Sequence, residues 1–310
     1  MSNEFTAKVR AYFAQYKTTV TLVDKLIQSK SHPQEILILI CSRLDALANS
    51  IGSDNEGQQK KFVSFITNYG RSSNLFRRVS IGDLYYEIGY HRWILSGLIP
   101  QPGRFHIFSD VNREVAILLD ESGVDLTQQA ADRFLHKIQD CITANFRARW
   151  RQSQKKPVSA SADEITSALV KGIHGLPNTA LANLPKAIAP LLNIKTGGAI
   201  LYQRFRSQVI HGGKVRLDEK KFFVEKRPYW KPLFSEYYGS FLFLEFPALF
   251  LSQLLVDSIR TYEHHLTAKG KVPPDIHFDM FPDDTDVHLD WLDEKGLPRG
   301  QDIRLSIPRR

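Results

Sequence analysis

Apolar residues recur every three to four positions along most of the chain, which is the spacing of amphipathic α-helices. On this pattern a first helix is predicted over residues 2–29, carried by Phe5, Val9, Phe13, Tyr16 and Val20. The same pattern predicts later helices over residues 56–69, 81–98, 162–172, 180–193, 198–211 and 240–267, with another from a cap at 125–127 to about 151.

The second predicted helix begins with a long apolar stretch. Ser31, Pro33 and Glu35 are typical of a helix start. From there to about Ile51 the segment is predicted to be helical, and as far as Cys41 it is apolar on nearly every face. We therefore expect this helix to be central and buried.

The segments between the helices are less regular. Residues 104–119 fit a strand or a helix, and 214–235 fit a short β-hairpin or an irregular loop. Residues 152–161, rich in Gln, Lys, Pro and Ser, are predicted to be a linker. We therefore predict an all-α fold, with one helical domain over 1–270 and an acidic, Pro- and Asp-rich tail over 271–310.

Composition adds a charge signal to this ordinary globular pattern. The 310 residues are 43% hydrophobic and 24% charged, with a net charge of +8 and a pI near 9.3. A basic surface favours polyanions such as RNA, DNA or acidic lipid. Because many basic proteins bind no nucleic acid, charge alone leaves that partner open.

Neither a membrane nor an oxidising compartment is indicated. The longest apolar stretch, 241–256, is interrupted by Glu245 and Pro247, and the N-terminus lacks a signal-peptide pattern. Cys41 and Cys141 are far apart, which argues against a disulfide framework and a cysteine zinc site. We expect a cytoplasmic protein without a membrane partner.

An arginine and a histidine five positions apart, Arg206 and His211, form the best candidate active site. Histidine suits proton transfer near neutral pH, and the arginine fork suits a phosphate. On an α-helix Ser207 lies four residues before His211, where its hydroxyl could orient the imidazole. The spacing recurs at Arg260 and His265, which we interpret as the exposed end of an amphipathic helix. The spacing alone therefore does not identify an active site.

The additional context is a family resemblance. The segment 201–213 resembles the motif helix of the HEPN superfamily, in which an Arg is followed by a polar residue, usually Asn, three variable residues and a His. The apolar segment 38–48, interrupted by Asp45, is similar to the early core helix of prokaryotic members. Shorter similarities lie at 62–66, 83–86 and 246–250, and the departure from the pattern is Ser207 in the Asn position.

The resemblance implies an elaborated HEPN-type helical bundle that forms a homodimer across the motif helices, with one composite active site. Such proteins are metal-independent endoribonucleases that leave a 2′,3′-cyclic phosphate without a cofactor, often as toxins or antiphage effectors with an antitoxin or defence-system partner. Arg206 would bind the scissile phosphate, His211 would transfer protons, and Asp45 would orient or neutralise the pair. The surrounding basic residues predicted to contact RNA are Arg43, Arg204 and Lys214.

Alternatives remain open at several positions. Arg206 and His211 could form a solvated helix face, and Asp45 could pair with Arg43 instead. The cluster Arg147, Trp150 and Arg151 fits RNA contact with base stacking, or cations at a helix C-terminus. The histidines near the C-terminus, His264, His265 and His277, match no known ligand spacing, so no metal is predicted.

Two functional alternatives accompany the ribonuclease prediction. Ser207 in the polar position also suits a catalytically silent HEPN module that binds RNA or a nucleotide, or that assembles a defence complex. A DNA-binding regulator is less favoured, since no short-turn helix pair with a basic second helix is evident. The acidic residues between Asp275 and Glu294 suit a solubilising tail, or one that competes with RNA for a basic cleft.

Overall fold

The computed structural model describes residues 3–51, 56–97, 112–124, 127–151, 158–208, 217–235 and 239–271. Helices dominate them, which confirms the predicted all-α class. The helices are α1 Asn3–Ser29, α2 Pro33–Asn49, α3 Gln58–Tyr69, α4 Ser73–Arg77, α5 Ile81–Gly97, α6 Arg113–Glu121, α7 Gln128–Arg151, α8 Ala162–Gly172, α9 Asn178–Ile194, α10 Gly197–Ile200, α11 Glu219–Val224 and α12 Ala248–Lys269. The strands are β1 Val79–Ser80, β2 Ser159–Ala160, β3 Tyr229–Ser235 and β4 Gly239–Glu245.

A first hydrophobic core lies between α1, α2, α3 and α12. Phe13 and Phe65 both meet Tyr262 edge-on, each with ring centroids 5.8 Å apart, and Leu44 of α2 is buried in the same core. Edge-to-face rings stabilise a core beyond the area they bury. This core fixes α2, the helix that carries Asp45.

A second core is formed by the segment from α5 to α9. Leu84, Leu119, Leu135 and Ile188 are completely buried there. Strands β1 and β2 pair antiparallel at its edge, with Val79 opposite Ala160.

The β3–β4 hairpin lies where the two cores meet, because Leu244 is buried in the first and Leu242 packs against the second. Its antiparallel register runs from Tyr229–Glu245 to Ser235–Gly239.

A hairpin or loop was predicted over 214–235, but residues 219–224 form helix α11 and the hairpin strands span 229–235 and 239–245. The helix predicted over 240–267 was wrong only at its start, because α12 begins at Ala248. Pro247 precedes the first residue of α12, and residues 239–245 before it form β4.

The predicted linker over 152–161 was also wrong in its last third, the part that the structure describes. Val158 and Ala160 are buried in the second core. Ser161 caps α8 through a capping box, in which its hydroxyl accepts from the Glu164 N–H and its own N–H donates to the Glu164 carboxylate (2.8 Å). The polar composition therefore hid a strand and a helix start.

Helix α2 is less completely buried than expected. Its N-cap is His32, with a left-handed φ of 56°, and it ends at Asn49. Ile36, Leu37, Ile40 and Cys41 are fully buried, but Ile38 is 39% exposed. The helix therefore lies at the side of its core and keeps one apolar strip at the surface.

The ambiguous segment 104–119 is helical where it is described. Asn112 caps α6 by accepting a hydrogen bond from the Val115 N–H at 2.9 Å. Residues 98–111 and the tail from 272 lie outside the described residues, so the predictions for them stay predictions.

Gly82 lets α5 approach the hairpin closely. A Cβ there would overlap the backbone carbonyl of Leu242, whereas a Cβ at Gly172 would meet the side-chain sulfur of Cys141. We expect Gly82→Ala to lower the free energy of unfolding by about 1–3 kcal/mol, because backbone atoms must move apart. Gly172→Ala should cost less, since a side chain can rotate. Urea denaturation of both variants measures the difference, and equal losses would contradict this close approach.

Candidate active site

The predicted motif helix over 198–211 is helical where described, but its winding is not the expected one. Thr196 caps α10, and Leu201–Ser207 continues α10 as a π-helical turn. Leu201 and Phe205 are buried and hold this turn in the first core. Short π-helical segments occur frequently at functional sites, and their wider turn changes which side chains align.

His211 and Lys214 lie between Gln208 and residue 217, in a segment outside the described residues. The structure therefore describes only the first part of the motif. Ser207 is half-buried at the end of the π-helical turn. The hydrogen bond expected between Ser207 and His211 therefore stays a prediction. The π-helical winding ends at Ser207, so it does not test the spacing from Ser207 to His211.

Arg206 and Asp45 are brought together from elements far apart in the sequence. Arg206 Nη2 donates to Asp45 Oδ2 at 2.6 Å, and the two side chains are only 12% and 13% exposed. The guanidinium also lies 5.1 Å from the centre of the Tyr202 ring. Burial by itself lowers the pKa of Arg206, but the hydrogen bond and charge of Asp45 raise it above its usual value. Arg206 is therefore a permanent cation with a dedicated carboxylate.

Arg43 does not pair with Asp45, so that alternative was wrong. Its Nε donates to the Thr19 hydroxyl at 2.9 Å, and its guanidinium lies 5.5 Å from the Tyr16 ring centre. Arg43 thus joins α2 to α1. Its predicted role as an RNA contact remains a prediction.

Arg204 ties the π-helical turn to the hairpin and to α5. It pairs with Asp83, donates from Nη1 to the carbonyl of Leu244 at 2.7 Å and lies 4.0 Å from the Glu245 carboxylate. Its guanidinium also stacks on Phe243 at 4.5 Å. These contacts assign Arg204 a structural role, and nothing in them supports the predicted RNA contact.

The prediction missed Asp83 and Glu245 as partners of Arg204. The Ser80 hydroxyl donates to Asp83 at 2.5 Å and the Leu244 N–H donates at 3.0 Å, so this buried carboxylate has three partners. Two signals were present in the sequence. Ser80 and Asp83 have the spacing of a capped helix start, and Glu245 interrupts an apolar run in which a charge needs a partner.

Glu245 is an acid with an unusual protonation equilibrium. Burial raises its pKa most, Arg204 and Lys231 oppose this, and Asp83 with Asp218 adds to it, so that the pKa is about 7. Two carboxylates thus flank one guanidinium in a dry site, and near neutral pH Glu245 is protonated in part of the molecules.

We expect the stability of the protein to fall as the pH rises from about 5 to 8. Because the folded state holds a proton on Glu245 that the unfolded chain releases above its lower pKa, deprotonation favours unfolding. The decline should be about 2–3 kcal/mol smaller in Glu245→Gln, which has no proton to lose. Urea denaturation at several pH values measures it, with the exposed Glu225→Gln as control. Identical slopes for the wild type and Glu245→Gln would refute this.

A separate buried polar cluster joins α5, α6 and the end of α9. Glu87 pairs with Lys195 at 2.8 Å and with His91 at 3.2 Å, and it accepts from the Asn112 amide. Burial raises the pKa of Glu87, but the His91 hydrogen bond and then the Lys195 charge lower it to about 2. This carboxylate is therefore ionised and fully engaged in joining helices.

The other candidate residues lie away from Arg206 in sequence and element. Arg147, Trp150 and Arg151 are in the last turn of α7, and their side chains are outside the described residues. Arg260 is exposed on α12, and His265 packs edge-on against Tyr69 at 5.5 Å. The second Arg–His pair therefore lies on an ordinary helix surface, as its sequence context predicted.

Cys41 lies beside the Arg206–Asp45 pair and is completely buried. Burial, and then the Asp45 charge, raise the pKa of its thiol to about 12. A neutral, enclosed thiol is a poor nucleophile. Within the described ranges we find no helix that could span a membrane and no group of three metal-ligating side chains.

No protein family model matches the chain, and comparisons with curated proteins and with solved structures find no match either.

Proposed function

We propose that the protein is a metal-independent endoribonuclease of the HEPN type. It would act as a homodimer with a composite site across two motif helices, as a toxin or antiphage effector restrained by an antitoxin or another defence partner. The observation that carries the proposal is the ion pair between Arg206 and Asp45. The resemblance assigned these two residues to one site, although 161 positions separate them.

The geometry suits Arg206 for phosphate binding. A guanidinium has five N–H donors in a fixed fork, and Asp45 contacts it through one terminal nitrogen. Asp45 holds the fork against Tyr202, so that little side-chain freedom is lost when a phosphate arrives. The partly dry surroundings strengthen the attraction between this cation and an anion.

The reaction then needs a base, an acid and a cation. His211 would take the proton of the 2′-hydroxyl, whose oxygen attacks the adjacent phosphorus. The bond from phosphorus to the 5′-oxygen breaks, and this oxygen takes a proton from an acid, which the second protomer's His211 would supply. Arg206 would stabilise the negative charge on the phosphorane. The products are a 2′,3′-cyclic phosphate and a free 5′-hydroxyl.

The rival proposal, a silent HEPN module, also has an observation in its favour. Arg206 is largely buried and paired, as a purely structural arginine would be, and Ser207 stands where Asn is usual. Such a module would bind RNA without cutting it.

Incubation of a mixed RNA pool with the wild type in EDTA separates the two proposals. The ribonuclease is expected to degrade the pool without a divalent cation, in proportion to protein concentration. Binding of the same pool without new ends would favour the silent module. If the wild type neither binds nor cuts the pool, RNA is not its ligand.

A further inference from the structure

Four aromatic rings form a continuous row from the hairpin along one side of α5. Phe243 meets Tyr86 edge-on at 4.9 Å, Tyr86 stacks on Tyr90 at 6.2 Å, and Tyr90 is followed by Trp93 at 6.0 Å. The planes of Tyr86 and Tyr90 are within 18° of parallel, and those of Tyr90 and Trp93 within 32°. We name these four residues the aromatic row.

The spacing along α5 accounts for the alignment. Tyr86, Tyr90 and Trp93 lie four and three residues apart, so they share one helical face. Tyr86 and Tyr90 are half-buried, and Trp93 is 41% exposed, among the most exposed large apolar side chains in the described part of the chain. Each ring has further interactions. The inference therefore depends on the alignment and on the exposure of Trp93.

The cationic and acidic side chains beside the aromatic row differ in how deeply they are buried. Lys231 stands directly opposite Phe243 in the hairpin register, and Arg204 stacks on the Phe243 ring. Their acidic neighbours are buried, with Asp83 2% and Glu245 6% exposed. Lys231 is half-buried and the Arg204 side chain is 23% exposed, so these cations lie nearer the surface than the carboxylates do.

We propose that the aromatic row binds single-stranded RNA, with bases stacking on Trp93 and Tyr90 and the backbone passing towards Lys231. Flat aromatic side chains in a row, with cations at one end, are the elements with which proteins hold single strands regardless of sequence. A duplex keeps its bases stacked inside and cannot use such a row. This inference rests on the proposed function, because it identifies the substrate as single-stranded RNA.

The experiment measures binding rather than cleavage, so that the two proposals can fail separately. A fluorescent twelve-residue oligouridylate and a fluorescent RNA duplex are titrated in EDTA with His211→Ala protein, which leaves the RNA intact. In that background, Trp93→Ala and Tyr90→Ala are compared with Trp93→Phe, which keeps a ring, and with Tyr12→Ala, which removes an aromatic residue from α1. Thermal unfolding checks that each variant is folded.

We expect Trp93→Ala and Tyr90→Ala each to weaken oligouridylate binding by about 5- to 100-fold, the effect of losing one stacked base. Trp93→Phe, Tyr12→Ala and duplex binding should change by less than about threefold on the same grounds. The proposal is overturned if both alanine variants bind the oligouridylate as tightly as their parent. In that case the aromatic row does not bind RNA, and a protein partner becomes the alternative ligand. Equal losses for duplex and single strand, or no oligouridylate binding by the parent, would also overturn it.

Cleavage assays on the His211-containing protein then separate the two failures. If oligouridylate binding needs Trp93 but no cleavage occurs in EDTA, the aromatic row binds RNA and the ribonuclease proposal is wrong. If Trp93→Ala cleaves RNA with an unchanged KM, the ribonuclease proposal stands and the aromatic row is not the RNA-binding surface.

Discussion

Replacing His211 by alanine is expected to slow RNA cleavage in EDTA by about 10²- to 10⁴-fold, because in the proposed mechanism this side chain moves the reacting protons. Arg206→Ala should cost about 10²- to 10³-fold, the usual effect of removing one donor from a developing oxyanion. Initial rates on a labelled RNA, measured at equal concentrations of folded protein, give both values.

The chain offers a matched control in its second Arg–His pair. Arg260 and His265 have the same residue types and spacing, but they lie on α12, where Arg260 is exposed. Arg260→Ala and His265→Ala should cleave at the wild-type rate. Equal losses in both pairs, or full activity in His211→Ala, would refute the assignment of the site.

Arg206→Ala also needs a stability control. It leaves Asp45 without its cation in a site that is mostly closed to water. We expect a loss of about 2 kcal/mol, less than for a fully buried pair because both side chains keep some exposure. The double variant Arg206→Ala/Asp45→Ala should recover part of this stability without recovering activity. That pattern separates folding from catalysis.

The largest effect on stability is expected for Asp83→Ala, with a loss of about 3–5 kcal/mol. The change removes one of the two carboxylates beside Arg204 and leaves the Ser80 hydroxyl and the Leu244 N–H without their acceptor. Since these groups belong to the π-helical turn, β1 and the hairpin, the loss should loosen the junction of the two cores. The midpoint of urea unfolding measures it, provided that the slope is unchanged.

Asp132→Ala is the matched control for Asp83→Ala. Asp132 also accepts from an arginine, Arg92, at 2.9 Å, but its side chain is 36% exposed. An exposed pair contributes about 0–1 kcal/mol. Equal losses of unfolding free energy in the two variants would show that burial of Asp83 does not increase its contribution to stability.

The helices were predictable from the sequence because each buries one face of regular period. The 3.6-residue pattern located α1, α3, α7, α8 and α12 to within a few residues except at the start of α12. There the apolar residues before Pro247 fit a helix and a strand equally well, and only the pairing with β3 decides between them. Short strands such as Ser159–Ala160 depend on a distant partner and leave almost no local signal.

The candidate site was predictable only in part. The contact between Arg206 and Asp45 was expected from the resemblance, since no local pattern joins residues so far apart. The partners of Arg204 were missed because they lie on α5 and β4, elements that are distant from Arg204 in the sequence and meet it only in the folded chain. The π-helical winding of Leu201–Ser207 was missed for a similar reason, since its propensities do not distinguish it from an α-helix.

The proposed ribonuclease cleaves RNA by attack of the RNA's own 2′-hydroxyl, with His211 as a proton-transfer group. The most direct test is the chemistry of the new ends when a single labelled RNA is incubated in EDTA with wild type and with His211→Ala. We expect a 2′,3′-cyclic phosphate and a 5′-hydroxyl from the wild type and almost no product from the variant. Fragments that carry a 3′-hydroxyl and a 5′-phosphate, or no fragments from the wild type, would contradict the proposal.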